Sequence, residues 1–174
     1  MTVDTIATRR FERAWPSAAA ADARNPDDPW LVYRAGGQLH ALPISCIVEI
    51  MRPQPIVPVE GAPDYILGLS IIRGQPVPIV DVGRLIGGKA SMCSRIVTVR
   101  LGARTVGLCA DAVLGKQQIG RATLARLPPL LSRVATTAID EVGTLDREFL
   151  FVLQGGCLIP EDILDCLEAA GTAR

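Results

Sequence analysis

Within the segment Pro58 to Gly88, the run Tyr65-Ile66-Leu67-Gly68-Leu69-Ser70-Ile71-Ile72-Arg73-Gly74-Gln75-Pro76-Val77-Pro78-Ile79-Val80-Asp81-Val82 decides the fold. It holds two apolar stretches, Tyr65–Ile72 and Val77–Val82, around a short polar link centred on Arg73 and Gly74. Two strand-length apolar stretches flanking such a link predict a β-hairpin. Pro76 and Pro78 lie two apart, so they share a face, and both lack an amide donor. That places them at a sheet edge or at the start of a strand. An arginine at the tip of an apolar hairpin is either a turn residue or a contact residue.

Upstream, Pro53, Pro55, Pro58 and Pro63 make a stiff, extended connection with little scope for helix. Before it, Cys46–Met51 is another apolar run with Glu49 set inside. A carboxylate there points to solvent or has a partner, because unpaired burial costs several kcal/mol. Trp30–Ala35 and Leu39–Ile44 read as strands around a Gly36-Gly37 turn. His40 is expected at a surface or partly buried strand position. Residues 1–29 are polar, Ala-rich and broken by Pro16, Pro26 and Pro29. They read as a mobile tail, with a short helix around Thr8–Ala14.

Downstream, Gly83–Gly88 leaves the sheet. Arg95–Leu101 alternates, with Val97, Val99 and Leu101 on one face and Thr98 and Arg100 on the other. Gly102-Ala103-Arg104 is a hairpin loop, and Thr105–Ala110 returns with Val106 and Leu108 facing in. Asp111–Gly115 continues in extended form. Thr123–Leu127 is expected to make one helical turn, stopped by Pro128-Pro129. Ala135–Leu145 and Glu148–Leu153 are the last strands. From Pro160 the period changes: Pro160 suits a first helical position, Glu161 and Asp162 suit the positive end of the helix dipole, and Ile163, Leu164, Leu167 and Ala170 form one stripe. Many short strands with Gly/Pro turns and one terminal helix predict an all-β fold, barrel or sandwich. The two halves look alike in outline, which suggests two small barrels side by side.

The chain has 174 residues, 49% of them apolar, and no formal net charge. That length suits one domain or two small ones. A neutral chain with few aromatics lacks both the basic stripe and the stacking platforms of a nucleic-acid binder. No apolar run approaches the roughly 18–20 residues of a membrane helix, so no membrane insertion is expected. Arg9-Arg10-Phe11 has the start of a twin-arginine export signal, but Glu12, Arg13 and Pro16 stand where an apolar segment belongs. The expected location is the cytoplasm. Five cysteines at irregular spacing, with no Cys-x-x-Cys and one histidine, supply a zinc site poorly. They are read as mostly small buried hydrophobes in a reducing compartment.

Catalytic chemistry is nearly present and fails. Gly83–Lys89 has the spacing of a phosphate-binding loop, but Ala90 stands where a magnesium-binding hydroxyl belongs. Asp81-Val82-Gly83 has the outline of an aspartic protease motif, yet Val82 replaces its hydroxyl and no second copy shares the proton. Asp81 is read instead as a strand-end acceptor of backbone hydrogen bonds. His40 has no spacing that ties it to Ser45 or Cys46 as a base. No enzyme and no cofactor is expected.

The opening segment resembles the CheW family, the coupling proteins of bacterial chemotaxis. The resemblance rests on Ile47-Val48-Glu49-Ile50, then Val57-Pro58 and Gly61-Ala62-Pro63. It continues through Gly68-Leu69-Ser70-Ile71-Ile72-Arg73-Gly74 and Val77-Pro78-Ile79-Val80-Asp81-Val82-Gly83-Arg84. Downstream, Val106-Gly107-Leu108-Cys109-Ala110-Asp111-Ala112-Val113 looks like the family's Gly-Leu/Ile-x-x-Asp-x-Val strand. The resemblance implies two five-stranded SH3-like β-barrels within residues 30–170, divided near residues 30–91 and 92–159, with a terminal helix over 160–170. It implies a non-enzymatic adaptor between the cytoplasmic tip of chemoreceptors and the regulatory domain of the histidine kinase CheA. A module for pili or surface sensing, or a kinase-binding competitor that does not bridge receptors, is the alternative. It implies contact roles for Ile47, Glu49, Arg73 and Gly74, and leaves Asp81, Arg84 and Asp111 as interface or structural residues. Ile71 stands where the family usually carries Asn, and Gly155-Gly156 is an insertion before the helix.

Overall fold

The computed structural model describes residues 28–127, 138–153 and 158–172. The expected tail helix, the Pro128-Pro129 stop and the Gly155-Gly156 insertion lie outside these residues.

Eleven strands and two helices are described. In chain order they are β1 (Trp30–Ala35), β2 (Gln38–Pro43), β3 (Ile47–Met51), β4 (Ile66–Ile72), β5 (Gln75–Asp81), the one-turn helix α1 (Val82–Leu85), β6 (Arg95–Leu101), β7 (Arg104–Ala110), β8 (Ala112–Gln117), β9 (Leu124–Arg126), β10 (Ile139–Leu145), β11 (Glu148–Leu153) and α2 (Glu161–Thr172). They form two sheets, ordered β8-β1-β2-β11-β10-β9 and β3-β6-β7-β5-β4. The all-β expectation with a terminal helix holds. The first sheet has six strands where five were expected. The extra strand is β9, which pairs with β10 through Glu141↔Arg126 to Gly143↔Leu124. The helical turn expected at Thr123–Leu127 is not formed: Leu124–Arg126 is held in this ladder as strand, and a 3-10 turn precedes it at Arg121–Thr123.

The sheets also exchange strands across the 91/92 division. β1 and β2 join β8–β11, and β6 and β7 join β3–β5. Four pairings accomplish this: β1 with β8 and β3 with β6 run antiparallel, and β11 with β2 (Leu150↔Leu39 to Val152↔Ala41) and β5 with β7 (Ile79↔Gly107 to Asp81↔Cys109) run parallel.

Three apolar clusters explain why both faces of many strands are buried. Trp30, Val32, Leu39, Ala41, Leu150 and Val152 fill one face of the first sheet. Ile72, Val77, Ile79, Ile96 and Cys109 fill one face of the second. The alternate residues of the same strands, among them Leu31, Tyr33, Val80, Val97, Val99, Val106 and Leu108, form a shared core between the sheets, which Leu164 and Leu167 of α2 extend. Each large aliphatic side chain buried there contributes about 1.5–3 kcal/mol. The two-sided burial is why period-two alternation is muted in β6, where Ile96, Val97, Thr98 and Val99 are all buried.

His40 is a correction. It is wholly buried, stacked on Tyr33 with ring centroids 5.3 Å apart, and its Nε2 lies 3.3 Å from the Ala35 carbonyl. Burial lowers its pKa to about 4. Pro76 and Pro78 lie in the first half of β5, before its parallel ladder to β7 begins at Ile79, so their missing donors fall where β5 has no second neighbour.

The cysteine expectation is also corrected in part. Cys46 is buried and donates its thiol to the Pro43 carbonyl, as a small core residue would. Cys93 and Cys109 are joined in a disulfide, and Cys166 is exposed. A spacing of sixteen residues, outside any motif, gave no local sign of this pairing.

Candidate functional site

β3 and β4 are the two outer strands of the five-stranded sheet. Among the described residues no ladder joins them. The sheet curls so that a side chain from β3 reaches the tip beyond β4. There the Arg73 Nε donates to Glu49 Oε1 at 2.8 Å and Nη2 donates to Oε2 at 2.9 Å. This parallel fork is the strongest geometry available to a guanidinium and a carboxylate. It holds the Glu49 carboxyl below its ordinary range, chiefly through the hydrogen bonds from Arg73. The Arg73 side chain is 76% exposed and that of Glu49 22%.

Local structure presents each partner. On β3 the register to β6 slips between Ile47↔Val99 and Glu49↔Thr98, leaving Val48 as the extra residue of a β-bulge. The Thr98 hydroxyl repairs the ladder: it accepts from the Glu49 amide at 3.1 Å and donates to the Glu49 carbonyl at 3.0 Å. On the other side, Ile72↔Gln75 leaves Arg73-Gly74 as a two-residue loop. Both have positive φ, 51° and 78°, the pattern of a type I′ turn. Glycine adopts this freely, whereas arginine is strained there by about 1 kcal/mol. Nothing lies within 4 Å of where a Gly74 Cβ would be, so Gly74 is required for its backbone and not for space.

Apolar residues surround the fork. Val48 is 44% exposed, Ile50 43% and Ile71 65%. Alternation in Cys46–Met51 could not separate Val48 and Ile50 from core residues, because every position except 49 is apolar and the bulge shifts the phase. Ile47, expected on the same surface, is half-buried and packs against the shared core. Behind Ile71 lies a groove of about 640 Å³ lined by Pro55, Val57, Leu69, Ile71, Pro76 and Gly171. Its wall exists because Val57 pairs with Leu69 in both directions at 2.8 Å. Gly68 permits this approach, since a Cβ there would lie 2.2 Å from the Val57 carbonyl oxygen.

Asp81, Arg84 and Asp111 each have partners within the chain, Asp81 buried and the Arg84 side chain 47% exposed. Asp81 caps α1, accepting the Arg84 amide at 3.3 Å, and takes both the amide and the hydroxyl of Ser91, the latter at 2.7 Å. Arg84 donates to the Asp64 carbonyl at 3.2 Å. Asp111 accepts the amides of Gly37 at 3.1 Å and Met92 at 2.6 Å. The near phosphate loop is closed on itself. The Gly87 amide donates to Arg84, the Gly88 amide to Gly83, and the Lys89 carbonyl packs against Gly83 and Gly36. Among the described residues no three of His, Cys, Asp and Glu converge as a metal site.

The two sheets do not close into the barrels expected from the sequence; an SH3-like pair of open sheets that presents an ion-pair fork among exposed apolar side chains has the make-up of a docking module. The sequence model of the CheW-like domain matches residues 29–161. Among similar proteins are Protein FrzA of Myxococcus xanthus, 29% identical over 67% of this chain and 73% of that protein, and Chemotaxis protein CheW of Rhizobium meliloti, 34% identical over 55% of this chain and 63% of that one. The fold matches that of the scaffolding protein TtCheW from Thermoanaerobacter tengcongensis with a TM-score of 0.64, 23% identity, and coverage of 73% of this chain and 88% of that one. The chain belongs to the CheW family.

Proposed function

We propose that this chain is a non-enzymatic chemotaxis adaptor that couples chemoreceptors to the regulatory domain of a CheA-type histidine kinase in the cytoplasm, acting through residues 30–170. The observation that carries the reading is the Glu49–Arg73 fork, held between Val48, Ile50 and Ile71. Exposed apolar residues around a fixed arginine match the make-up of a protein contact, with an apolar centre and a charge that sets register. Gly74 contributes by fixing the turn. Ile47 supports the bulge from the core side, and Asp81, Arg84 and Asp111 hold the scaffold that carries the surface. Among the described residues no helix is long and apolar enough to cross a membrane.

The test is calorimetric titration of the purified chain with a kinase regulatory domain and, separately, with a receptor signalling-tip fragment. Binding to both at Kd below roughly 50 μM supports the reading. A folded sample that binds neither partner in that range overturns it.

A further inference from the structure

The α1–β6 connection is held to the body of the protein by three successive residues. Ser91 binds the Asp81 carboxylate through amide and hydroxyl, the Met92 amide binds Asp111, and Cys93 is bonded to Cys109. The first two anchors are hydrogen bonds, and the third depends on oxidation. The two sulfurs stand in different surroundings. Cys109 is wholly buried on β7 in the core of the second sheet, beside Ile79 and Ile96. Cys93 is half-buried in the connection, with φ of 50°, a left-handed backbone that side chains rarely adopt. Cys93 is therefore the more exposed partner, and Cys109 is the protected one. A disulfide also fits poorly with a cytoplasmic protein unless it is transient, because that compartment keeps structural thiols reduced.

We infer that Cys93 and Cys109 form a reversible thiol–disulfide site, exchanging with a small disulfide of the glutathione class through Cys93, and that its state sets how firmly the α1–β6 connection is held to the second sheet. The Cys93 thiolate attacks one sulfur of glutathione disulfide, forming a mixed disulfide and releasing one glutathione thiolate. The Cys109 thiolate then attacks Cys93 Sγ, forming the internal bond and releasing the second. Two cysteine thiols lose two electrons, glutathione disulfide gains them, and the two thiol protons end on the two glutathione molecules. Asp81 and Asp111 keep the connection near the body in the reduced form, so Cys93 stays within reach of Cys109 and the site can close again. The inference rests on the cytoplasmic reading above, while binding to kinase and receptor fragments uses no cysteine chemistry, so either can fail alone.

The full chain is equilibrated in glutathione buffers from fully oxidised to fully reduced, alkylated and mapped by peptide mass spectrometry. The linked Cys93–Cys109 peptide is expected to convert to two alkylated peptides within that series. A link that survives the reduced end, or never forms at the oxidised end, overturns the proposal. Reduction is also expected to lower Tm by about 5–10 °C and to speed amide exchange over residues 86–94 by about tenfold. Cys93→Ser should show the reduced values in both buffers. Equal Tm and exchange for the wild type in the two buffers would overturn the link between the bond and the connection.

Discussion

Arg73 and Glu49 meet across the two outer strands of one sheet, the guanidinium lying edge-on to the carboxylate at 2.8 and 2.9 Å. The pair spans a seam that no backbone ladder closes among the described residues. Because Arg73 is largely exposed, water screens the attraction, and a pair of this kind adds little to stability. Arg73→Glu is therefore expected to weaken binding to the kinase fragment about tenfold or more, while Tm moves by no more than ~2 °C. Titration and thermal unfolding of the same sample check both. A large fall in Tm would make the pair a seam closure and not a contact.

The turn separates the two roles of position 73 more sharply. Asparagine is favoured at the first central position of a type I′ turn, whereas arginine is strained there. Arg73→Asn should leave Tm unchanged or raise it, and should abolish the charge-dependent part of binding. Gly74→Ala should do the reverse. It keeps the arginine but lowers stability by about 1 kcal/mol through backbone strain, since no atom obstructs the added methyl. Denaturant titration of both variants distinguishes them.

Asp81 sits at a position that the family resemblance left between interface and scaffold. Its carboxylate accepts from Arg84 and twice from Ser91 while almost wholly buried. Asp81→Ala strands those donors and is expected to cost about 3 kcal/mol, or roughly 6–12 °C in Tm. Partner affinity per folded molecule should change little. Unchanged Tm with lost binding would move Asp81 to the contact surface.

The local elements were largely legible, and the long-range arrangement was not. Trp30–Ala35, Glu148–Leu153 and the hairpin around Arg73-Gly74 carry their own turn residues and apolar runs, and the structure places strands at all three. The parallel pairing of Leu39 with Leu150 joins residues more than a hundred apart, and neither strand carries a local mark of its partner. The bulge at Val48 is bridged by the Thr98 hydroxyl, which bonds Glu49 from 49 residues away, so the exposure of Val48 and Ile50 is hidden in a run that is apolar except at Glu49. The burial of His40 is hidden in the sequence for a related reason. Its strand is buried on both faces, and a polar residue there finds its partner in Ala35 and its packing in Tyr33.

That buried histidine makes stability depend on pH. Burial lowers the folded pKa of His40 to about 4, against 6.5 in the unfolded chain. Above pH 6.5 neither state is protonated there, and the residue adds no pH dependence. Between pH 6.5 and 4 the unfolded chain takes up the proton and the folded one does not, so stability falls as pH falls. The full loss amounts to about 3 kcal/mol by pH 4. Glu49 and Glu148, whose pKa values are lowered by Arg73 and Arg34, lose stabilisation in the same direction at the acid end of that range and below it. A variant isolates the histidine. In urea unfolding at pH 7.5, 5.5 and 4.5, His40→Gln is expected to be less stable than wild type at pH 7.5, with the difference shrinking as pH falls. A difference that stays constant across the three values would mean that His40 titrates normally in the folded protein, and would overturn its assignment as a neutral core residue.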